Sequence, residues 1–227
     1  MTVATGWRKD VPIKVAVIDD DESVRRSLAR LLKLAAMRPV IFRSAREFLE
    51  DPDHGEIDCV VSDIRMPGID GFMLQETVLE SLPFISFVLI SGYGDVPTAV
   101  KAMKGGAVDF LEKPVDPKEL LAAIQRASAR SRELRVAGEQ LESLRRDYEA
   151  LTPRQRDVLA LVVAGLLNKQ VGAQLGISEK TVKVHRARIM EQMRADSLAD
   201  LVRMATRLGI RAEDADYSSA KGRPHSA

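Results

Sequence analysis

The stretch Val15-Ala16-Val17-Ile18-Asp19-Asp20-Asp21 decides the fold, because in it an apolar run ends abruptly in three carboxylates. A second run, Ile57-Asp58-Cys59-Val60-Val61-Ser62, ends in the same way at Asp63. Short apolar runs of this kind predict buried strands. Carboxylates gathered at one edge of a sheet repel one another unless a cation lies between them, and Mg2+ prefers such oxygen ligands. The two segments therefore predict a metal site at one end of a sheet.

The composition is that of an ordinary water-soluble protein with two small domains or one large one. The chain has 227 residues, of which 45% are hydrophobic, so it can bury real cores. Its single cysteine, Cys59, lies inside an apolar run, which excludes an intrachain disulfide and favours a reducing compartment. No segment has the pattern of a signal peptide or a membrane span, so we expect a cytoplasmic protein without membrane contact.

The net charge of +1 conceals an asymmetry between the two halves of the chain. Residues 1–126 hold 16 basic and 20 acidic side chains, a net charge of −4. Residues 151–227 hold 13 basic and 8 acidic side chains, a net charge of +5. This division indicates an acidic module joined to a module that binds a polyanion.

Residues 13–126 alternate short apolar runs with segments of helical period, which is typical of successive βα units and a parallel sheet. Two helix starts are well marked, because Ser44-Ala45-Arg46-Glu47 is a capping box and Asp116 precedes Pro117. The fold class predicted for this part is α/β, with five helices and five strands. The strands are expected near 13–18, 38–43, 57–62, 85–91 and 107–111.

A long helix is predicted to follow, with residues 127–150 as a linker between domains. Apolar and small residues fall on heptad a and d positions over more than four heptads, and only Arg130 interrupts them. This pattern favours a coiled coil with a second copy of the chain. An amphipathic helix packed against its own domain is an equal alternative, which the small residues and Gly138 support. The heptad positions are Leu120, Ala123, Ala127, Leu134, Ala137, Leu141, Leu144, Tyr148 and Leu151.

The remainder of the chain is predicted to form a second, all-α domain over residues 151–211. Four short segments of helical period occur there, each with a start signal. The signals are Thr152-Pro153-Arg154-Gln155, Asn168, Ser178-Glu179 and Ser197-Leu198-Ala199-Asp200. Residues 212–227 are rich in Ser, Asp, Gly and Pro and lack periodicity, so we predict a disordered tail.

Polar side chains are expected to meet at one edge of the predicted sheet, because ligands bind beyond the carboxyl ends of parallel strands. They comprise three carboxylates, a hydroxyl and an ammonium, namely Asp19, Asp20, Asp63, Ser91 and Lys113. The motifs around them resemble, in the same order, the receiver domain of two-component response regulators. These motifs are Ile18-Asp19-Asp20-Asp21-Glu22-Ser23-Val24-Arg25, Asp63-Ile64-Arg65-Met66-Pro67-Gly68-Ile69-Asp70-Gly71, Ser91-Gly92-Tyr93-Gly94-Asp95 and Phe110-Leu111-Glu112-Lys113-Pro114.

The resemblance covers residues 13–126 and implies a flavodoxin-like, five-stranded parallel receiver whose nucleophile is Asp63. Asp63 would take a phosphoryl group from a phosphohistidine on a sensor histidine kinase. Mg2+ (or Mn2+) would be bound by Asp20, Asp63 and the backbone carbonyl of Arg65, with Asp19 acting mainly through a coordinated water. These roles agree with phosphoryl transfer, which needs positioning and charge neutralisation more than covalent chemistry.

Three further receiver residues would convert phosphorylation into a change of surface. Lys113 would supply positive charge, Ser91 would offer its hydroxyl to a phosphoryl oxygen, and Phe110 would turn inward with it. The resemblance also implies a cis peptide bond between Lys113 and Pro114. The sequence departs from the family at Ser91, where threonine is common, and at Phe110, where tyrosine is common. Asp21 is interpreted differently, as an acid in the first turn of a helix.

Residues 168–185 have the layout of a helix-turn-helix, with a short helix, a glycine turn and a capped second helix. On the second helix Val182, Ile189 and Met193 are expected to face the core, opposite basic and small side chains that suit a major groove. The segment resembles the four-helix LuxR-type DNA-binding domain through Leu151-Thr152-Pro153-Arg154-Gln155-Arg156-Asp157-Val158-Leu159 and Thr181-Val182-Lys183-Val184-His185. It departs from that family at Gln170-Val171-Gly172, where Glu-Ile-Ala is more usual.

The LuxR-type resemblance divides the expected DNA contacts into two groups. Base edges would be approached by Lys183, Val184 and Ala187. Phosphate contacts, which set affinity and salt dependence without reading sequence, are expected from Lys169, Lys180, Thr181, Arg186 and Arg188.

The order of receiver, long helix and LuxR-type domain resembles the FixJ/NarL class of response regulators. We therefore expect phosphorylation of Asp63 to promote a homodimer that binds double-stranded promoter DNA at a two-fold site and contacts RNA polymerase. A Mg2+-dependent phosphatase is an alternative, although Arg65 stands where such an enzyme would need a second acid. A regulator that binds DNA through its coil without using phosphate is a third interpretation.

Overall fold

The computed structural model describes residues 12–53, 56–92, 95–211 and 213, in which five strands and nine helices form two compact units divided between Val136 and Ala137. The strands are β1 (Lys14–Ile18), β2 (Arg38–Phe42), β3 (Cys59–Asp63), β4 (Ser86–Ser91) and β5 (Asp109–Glu112). The helices are α1 (Glu22–Leu34), α2 (Ala45–Glu50), α3 (Gly71–Ser81), α4 (Val96–Lys104), α5 (Pro117–Glu149), α6 (Pro153–Val163), α7 (Asn168–Leu175), α8 (Glu179–Gln192) and α9 (Leu198–Leu208).

The first unit contains a wholly parallel sheet with the strand order β2-β1-β3-β4-β5. All five predicted strands are present, each within two residues of its predicted limits. The order of the strands reverses beside β1, since β2 lies on one side of it and β3 on the other. A parallel sheet of this kind has its ligand crevice outside the carboxyl ends of the strands at such a reversal. The predicted α/β class is confirmed.

Two apolar layers cover the faces of the sheet, so its central strands are buried on both sides. Val60 and Phe87 belong to the layer that packs against α2, α3 and α4. Cys59 and Val61 belong to the opposite layer, which packs against α1 and α5. The side chain of Cys59 is fully buried, and this burial raises the pKa of its thiol. Cys59 is therefore a core residue, as the apolar run around it predicts.

Helix α5 continues for 33 residues and contributes to the cores of both units. Near its beginning Leu120, Ala123 and Ala127 are buried in the first unit. Near its end Leu144 is buried in the second unit. The two ends of the predicted heptad stripe therefore pack within the chain itself, which agrees there with the alternative of a helix lying against its own domain.

The first unit extends past the predicted boundary at residue 126, because about three more turns of α5 belong to it. Ser131 is fully buried. Nη2 of Arg135 donates to the carbonyl of Ile57 at 2.7 Å, and its guanidinium lies 4.3 Å from the centre of the Phe84 ring. These contacts lie at the amino-terminal end of β3. They attach the beginning of the predicted linker to the receiver-like unit.

The second unit consists of the end of α5 and four short helices, as the start signals predict. Thr152 and Gln155 form a capping box at α6, while Ser178 and Ser197 cap α8 and α9. The signal at Asn168 is wrong in detail: Asn168 is the first residue of α7, and its side chain does not cap that helix. The core contains Val182 and Ile189 of α8 and Met193 directly after it, together with apolar residues of α6, α7 and α9.

Two further predictions concern the carboxyl-terminal tail and the absence of a membrane span. The predicted disordered tail, residues 212–227, lies outside the described residues except for Glu213. Among the helices described, none combines the length and the hydropathy that crossing a membrane requires.

Candidate functional site

The sheet brings the predicted polar residues to its carboxyl edge. Asp19 follows β1 directly, Asp63 ends β3, Ser91 ends β4 and Lys113 follows β5. Parallel pairing in register aligns these ends, since Asp63 lies opposite Ile90 and Ser91 lies opposite Glu112. Asp19, Asp63 and Ser91 are buried, whereas the side chain of Lys113 is 28% exposed. The four strand ends thus surround one partly solvated site.

The ammonium of Lys113 joins the two buried carboxylates of this site. Its Nζ lies 2.6 Å from Oδ1 of Asp63 and 2.8 Å from Oδ2 of Asp19. The peptide bond between Lys113 and Pro114 is cis, as expected. The backbone N–H of Lys113 donates to the carbonyl of Ser91 at 2.7 Å, which fixes the chain after β5 beside the end of β4. The lysine is therefore held in place by both its backbone and its side chain.

Burial and charge have opposing effects on these groups. Burial raises the pKa of the Asp63 carboxyl above its usual value, and the hydrogen bond and positive charge of Lys113 offset only part of that rise. For Lys113, burial acts to lower the pKa of the ammonium, but its hydrogen bonds to Asp19 and Asp63 and their negative charges together outweigh burial and raise it. Lys113 is consequently protonated at neutral pH, and a positive charge lies beside Asp63.

The three acids after β1 have three different environments. Asp19 is buried and accepts the backbone N–H of Asp21 at 2.9 Å. Asp20 is exposed at the rim of a cleft that Arg65 and Ser91 also line. Asp21 caps α1 by accepting the backbone N–H groups of Ser23 and Val24, and its hydrogen bonds with Ser23 lower the pKa of its carboxyl. The interpretation of Asp21 as helix-start charge is confirmed.

The oxygen donors of the cleft suit Mg2+, which takes few carboxylates and keeps several of its waters. Asp20 and Asp63 would provide carboxylates, and Arg65 would provide a backbone carbonyl on the loop after β3. Among the described residues, no three His, Cys, Asp or Glu side chains form a preassembled metal cluster. The ammonium of Lys113 contacts one oxygen of Asp19 and one oxygen of Asp63. Asp20, with an exposed carboxylate, is the acid best placed to reach an ion in the cleft.

Gly71 is a residue of the site whose role the sequence does not reveal. A Cβ built on Gly71 would lie 2.5 Å from the backbone oxygen of Asp63 and 2.9 Å from Cα of Ile64. The backbone N–H of Gly71 also donates to the carbonyl of Ile64 at 2.9 Å. Only glycine allows α3 to begin this close to the end of β3. A second unpredicted contact is made by Arg25, whose Nη1 donates to the carbonyl of Asp19 at 2.7 Å.

The predicted switch residue Phe110 lies in the middle of the edge strand β5. It is partly buried and packs against the apolar layer beneath α3 and α4. Ser91, on the neighbouring strand, is buried. The two residues lie on neighbouring, paired strands.

In the second unit, α8 has a buried face and an exposed face, as predicted. Val182, Ile189 and Met193 are buried. Five of the predicted DNA-contacting residues on α8 are exposed, and Thr181 and Arg186 are intermediate. Lys169, on α7, is exposed as well. The five exposed members of the predicted set on α8 are Lys180, Lys183, Val184, Ala187 and Arg188.

Two contacts fix α7 against α8. Nη1 of Arg186 donates to Oδ1 of Asn168 at 2.7 Å, in a partly buried hydrogen bond. In the middle of α7, a Cβ on Gly172 would lie 2.7 Å from the backbone oxygen of Ile177, in the turn before α8. The departure from the family at Gly172, where alanine is more usual, therefore accompanies a close approach of the helix to the turn.

Comparison with protein-family models identifies two regions of the chain. Residues 15–125 match the model of the response regulator receiver domain. Residues 149–205 match the model of bacterial regulatory proteins of the luxR family. The two matches coincide with the sheet-containing part of the first unit and with the helical second unit.

Several proteins are similar to this chain over nearly its whole length. Nodulation protein W of Bradyrhizobium diazoefficiens is 45% identical over 204 residues, which is 90% of each chain. The transcriptional regulatory protein FixJ of Azorhizobium caulinodans is 41% identical over 202 residues, covering 89% of this chain and 96% of FixJ. Among solved structures, that of the response regulator StyR is 41% identical, covers 87% of this chain and 100% of its own, and has a TM-score of 0.74.

Proposed function

Because this chain belongs to the two-component response regulators that combine a receiver domain with a LuxR-type DNA-binding domain, we propose that Asp63 is its phosphoacceptor. The observation that carries this proposal is the placement of the Lys113 ammonium 2.6 Å from the Asp63 carboxylate at the carboxyl edge of the sheet. The donor would be a phosphohistidine on a sensor histidine kinase. The receiver would then control transcription through the second unit.

The chain's own residues suit in-line transfer of a phosphoryl group. A carboxylate oxygen of Asp63 attacks phosphorus, the bond from phosphorus to the donor nitrogen breaks, and an acyl phosphate forms. Lys113 neutralises charge on the phosphoryl oxygens, which is the main requirement of this chemistry. Mg2+ would supply further positive charge, held by Asp20, Asp63 and the carbonyl of Arg65, with Asp19 acting through a coordinated water.

The response to phosphorylation would start at Ser91. Its hydroxyl would donate to a phosphoryl oxygen, and β4 with the following α4 would shift to make that hydrogen bond. Phe110 would move further into the apolar layer that it already contacts. The surface formed by α4, β5 and α5 would change as a result, and this change would favour a homodimer.

The output would be binding of double-stranded promoter DNA by the second unit. Lys183, Val184 and Ala187 lie on the exposed side of α8 and would approach base edges. Phosphates would be contacted by the exposed Lys169, Lys180 and Arg188 and by Thr181. A homodimer would present two such helices to a two-fold site and contact RNA polymerase there. Both the kinase domain and the promoter would be met in the cytoplasm.

Incubation with Mg2+ and acetyl phosphate tests the acceptor assignment directly. Intact-protein mass spectrometry should show one stable phosphoryl increment in the wild type and in Asp53→Asn, an exposed acid away from the site. The increment should be absent in Asp63→Asn. Rapid turnover of acetyl phosphate without a stable increment would instead indicate a phosphatase. An unmodified protein that still binds DNA would indicate a regulator that does not use phosphate.

A further inference from the structure

Arg186 lies on the inward-facing side of the recognition helix α8. It follows the buried Val182 by four residues and precedes the buried Ile189 by three. Residues three and four apart share one face of a helix, so Arg186 belongs to the same stripe as these two core residues. Lys183 and Ala187, which are exposed, lie on a different side. The position of Arg186 on the helix therefore points its stem towards α7 and away from the exposed side.

Asn168 provides the partner for this arginine at the start of α7. Its Oδ1 accepts the hydrogen bond from Nη1 of Arg186 at 2.7 Å. The asparagine side chain does not serve as a helix cap, because Asn168 is already the first helical residue of α7. A hydrogen bond between a charged donor and a neutral acceptor in a partly buried setting is among the stronger ones in proteins.

We infer that Asn168 and Arg186 form a positioning pair, which fixes the recognition helix against the start of α7, and that Arg186 acts through Asn168 and not as a phosphate contact. This inference rests on the proposed DNA binding. Lys169 is adjacent to Asn168 and exposed, and Lys183 is exposed on α8. The pair therefore sets the distance between a phosphate-contacting group on α7 and the base-reading groups on α8.

The experiment compares specific with non-specific DNA binding by the full chain. A duplex is first selected from a random-sequence library by the phosphorylated wild-type protein. Dissociation constants for this duplex and for a mixed-sequence duplex are then measured by fluorescence anisotropy over a range of salt concentrations. The variants are Asn168→Ala, Arg186→Met and the two combined, with Asn168→Asp as the conservative variant that retains the acceptor. Lys180→Ala, an exposed residue of α8, is the control for a phosphate contact.

If Asn168 and Arg186 position the recognition helix, losing either side chain should lower the preference for the selected duplex. It should not change the number of counterions released from the DNA, which the salt dependence of binding measures. Asn168→Ala and Arg186→Met should each lower the preference for the selected duplex about tenfold, and the double variant should lower it no further. The slope of log affinity against log salt should stay at the wild-type value in all three. Asn168→Asp should retain the preference. Lys180→Ala should weaken both duplexes equally and reduce the slope by about one.

Other results would overturn the pairing. If Arg186→Met weakened both duplexes equally and reduced the salt slope by about one while Asn168→Ala bound like the wild type, Arg186 would be a phosphate contact. Unchanged specificity in both single variants would also refute it. Arg186→Met keeps the aliphatic stem of the arginine, and far-ultraviolet circular dichroism checks that this variant folds. If Arg186→Met does not fold, the result for Asn168→Ala decides between the two roles of Arg186. Failure of the wild type to enrich any duplex would refute DNA binding itself.

Discussion

A carboxylate that reacts as a nucleophile must stay ionised, and at Asp63 two neighbouring effects oppose each other. Burial raises the pKa of its carboxyl, and the ammonium of Lys113 at 2.6 Å lowers it, with a net increase. Only the ionised form attacks phosphorus. In the absence of Mg2+ the Asp63 carboxyl should therefore ionise at a higher pH than an ordinary aspartate, which nuclear magnetic resonance titration of the metal-free protein measures.

Substituting Lys113 tests this balance. Lys113→Met removes the positive charge, so the pKa of Asp63 should rise further and the acid limb of the phosphorylation rate should move to higher pH. The rate with acetyl phosphate should also fall at neutral pH, because the charge on the phosphoryl oxygens is less well neutralised. Stopped-flow measurements from acidic to neutral pH provide the profile. Lys118→Met, an exposed lysine, should leave it unchanged; an acid limb displaced to lower pH would contradict the assignment.

Gly71 supports the same carboxylate through the backbone. In Gly71→Ala the added Cβ would lie 2.5 Å from the Asp63 carbonyl oxygen, and since its neighbours are backbone atoms, the strand end must move. We expect a loss of stability of about 1–3 kcal/mol and slower phosphorylation. Gly138→Ala is the matched control, because nothing lies within 4 Å of a Cβ there and α5 should gain about 0.5–1 kcal/mol. Urea unfolding of both variants provides the comparison, and equal stabilities would refute the close approach.

The sequence predicts the acids of the site and Lys113 but not the contacts among them. Apolar runs that end in polar residues mark strand ends, which places these side chains at one edge of the sheet. The bridge from Lys113 to Asp19 joins residues 94 apart, and nothing local to either residue indicates it. The role of Gly71 depends on how closely α3 approaches β3. Distances of this kind result from packing the whole sheet and therefore require the structure.

Helix α5 shows why a correct helix prediction can still leave its packing undecided. The heptad pattern predicts the helix, but a stripe of Leu and Ala suits a second chain and the helix's own domain equally well. In the structure the stripe packs within the chain at both ends, as Ala127 and Leu144 show. The pattern could not reveal this, because the spacing of apolar residues predicts that one face of the helix is buried but does not identify the element that packs against it.

The contacts of α5 beyond residue 126 should contribute measurably to the stability of the receiver. Arg135→Ala removes the hydrogen bond to the Ile57 carbonyl and the stacking on Phe84. We expect a loss of about 1.5–3 kcal/mol in the free energy of unfolding. Arg130→Ala, at an exposed position of the same helix, should change stability by less than about 0.5 kcal/mol. Chemical denaturation followed by circular dichroism measures both, and indistinguishable variants would show that the extension is not attached to the receiver.

For the whole molecule, burial of both ends of the heptad stripe within the chain limits how two copies can form a coiled coil. Leu134 is 39% exposed, and it is among the few stripe positions left for another copy. So short a seam is marginal on its own, because helical pairing needs several turns of continuous packing. We therefore expect a monomer before phosphorylation and a homodimer after it, when the receiver surface contributes as well.

Light scattering with and without acetyl phosphate measures this transition. Leu134→Glu should weaken the phosphorylated dimer, because it places a charge on the seam. Val136→Glu is the matched control: Val136 is 45% exposed on the same helix but lies off the seam, so its dimer should persist. A wild type that remains monomeric after phosphorylation would refute the dimer, and equal effects of the two variants would place the contact elsewhere.

The fully buried Cys59 allows opening of the receiver to be measured by the rate of thiol modification. It is the sole cysteine of the sequence, it lies in the central strand β3, and its raised pKa keeps the thiol protonated. A thiol reagent can consequently modify it only when the sheet opens, and the DNA-binding unit, which has no cysteine, contributes no signal. The rate of alkylation with and without acetyl phosphate should therefore report how much phosphorylation stabilises the receiver against opening. We expect slower labelling after phosphorylation.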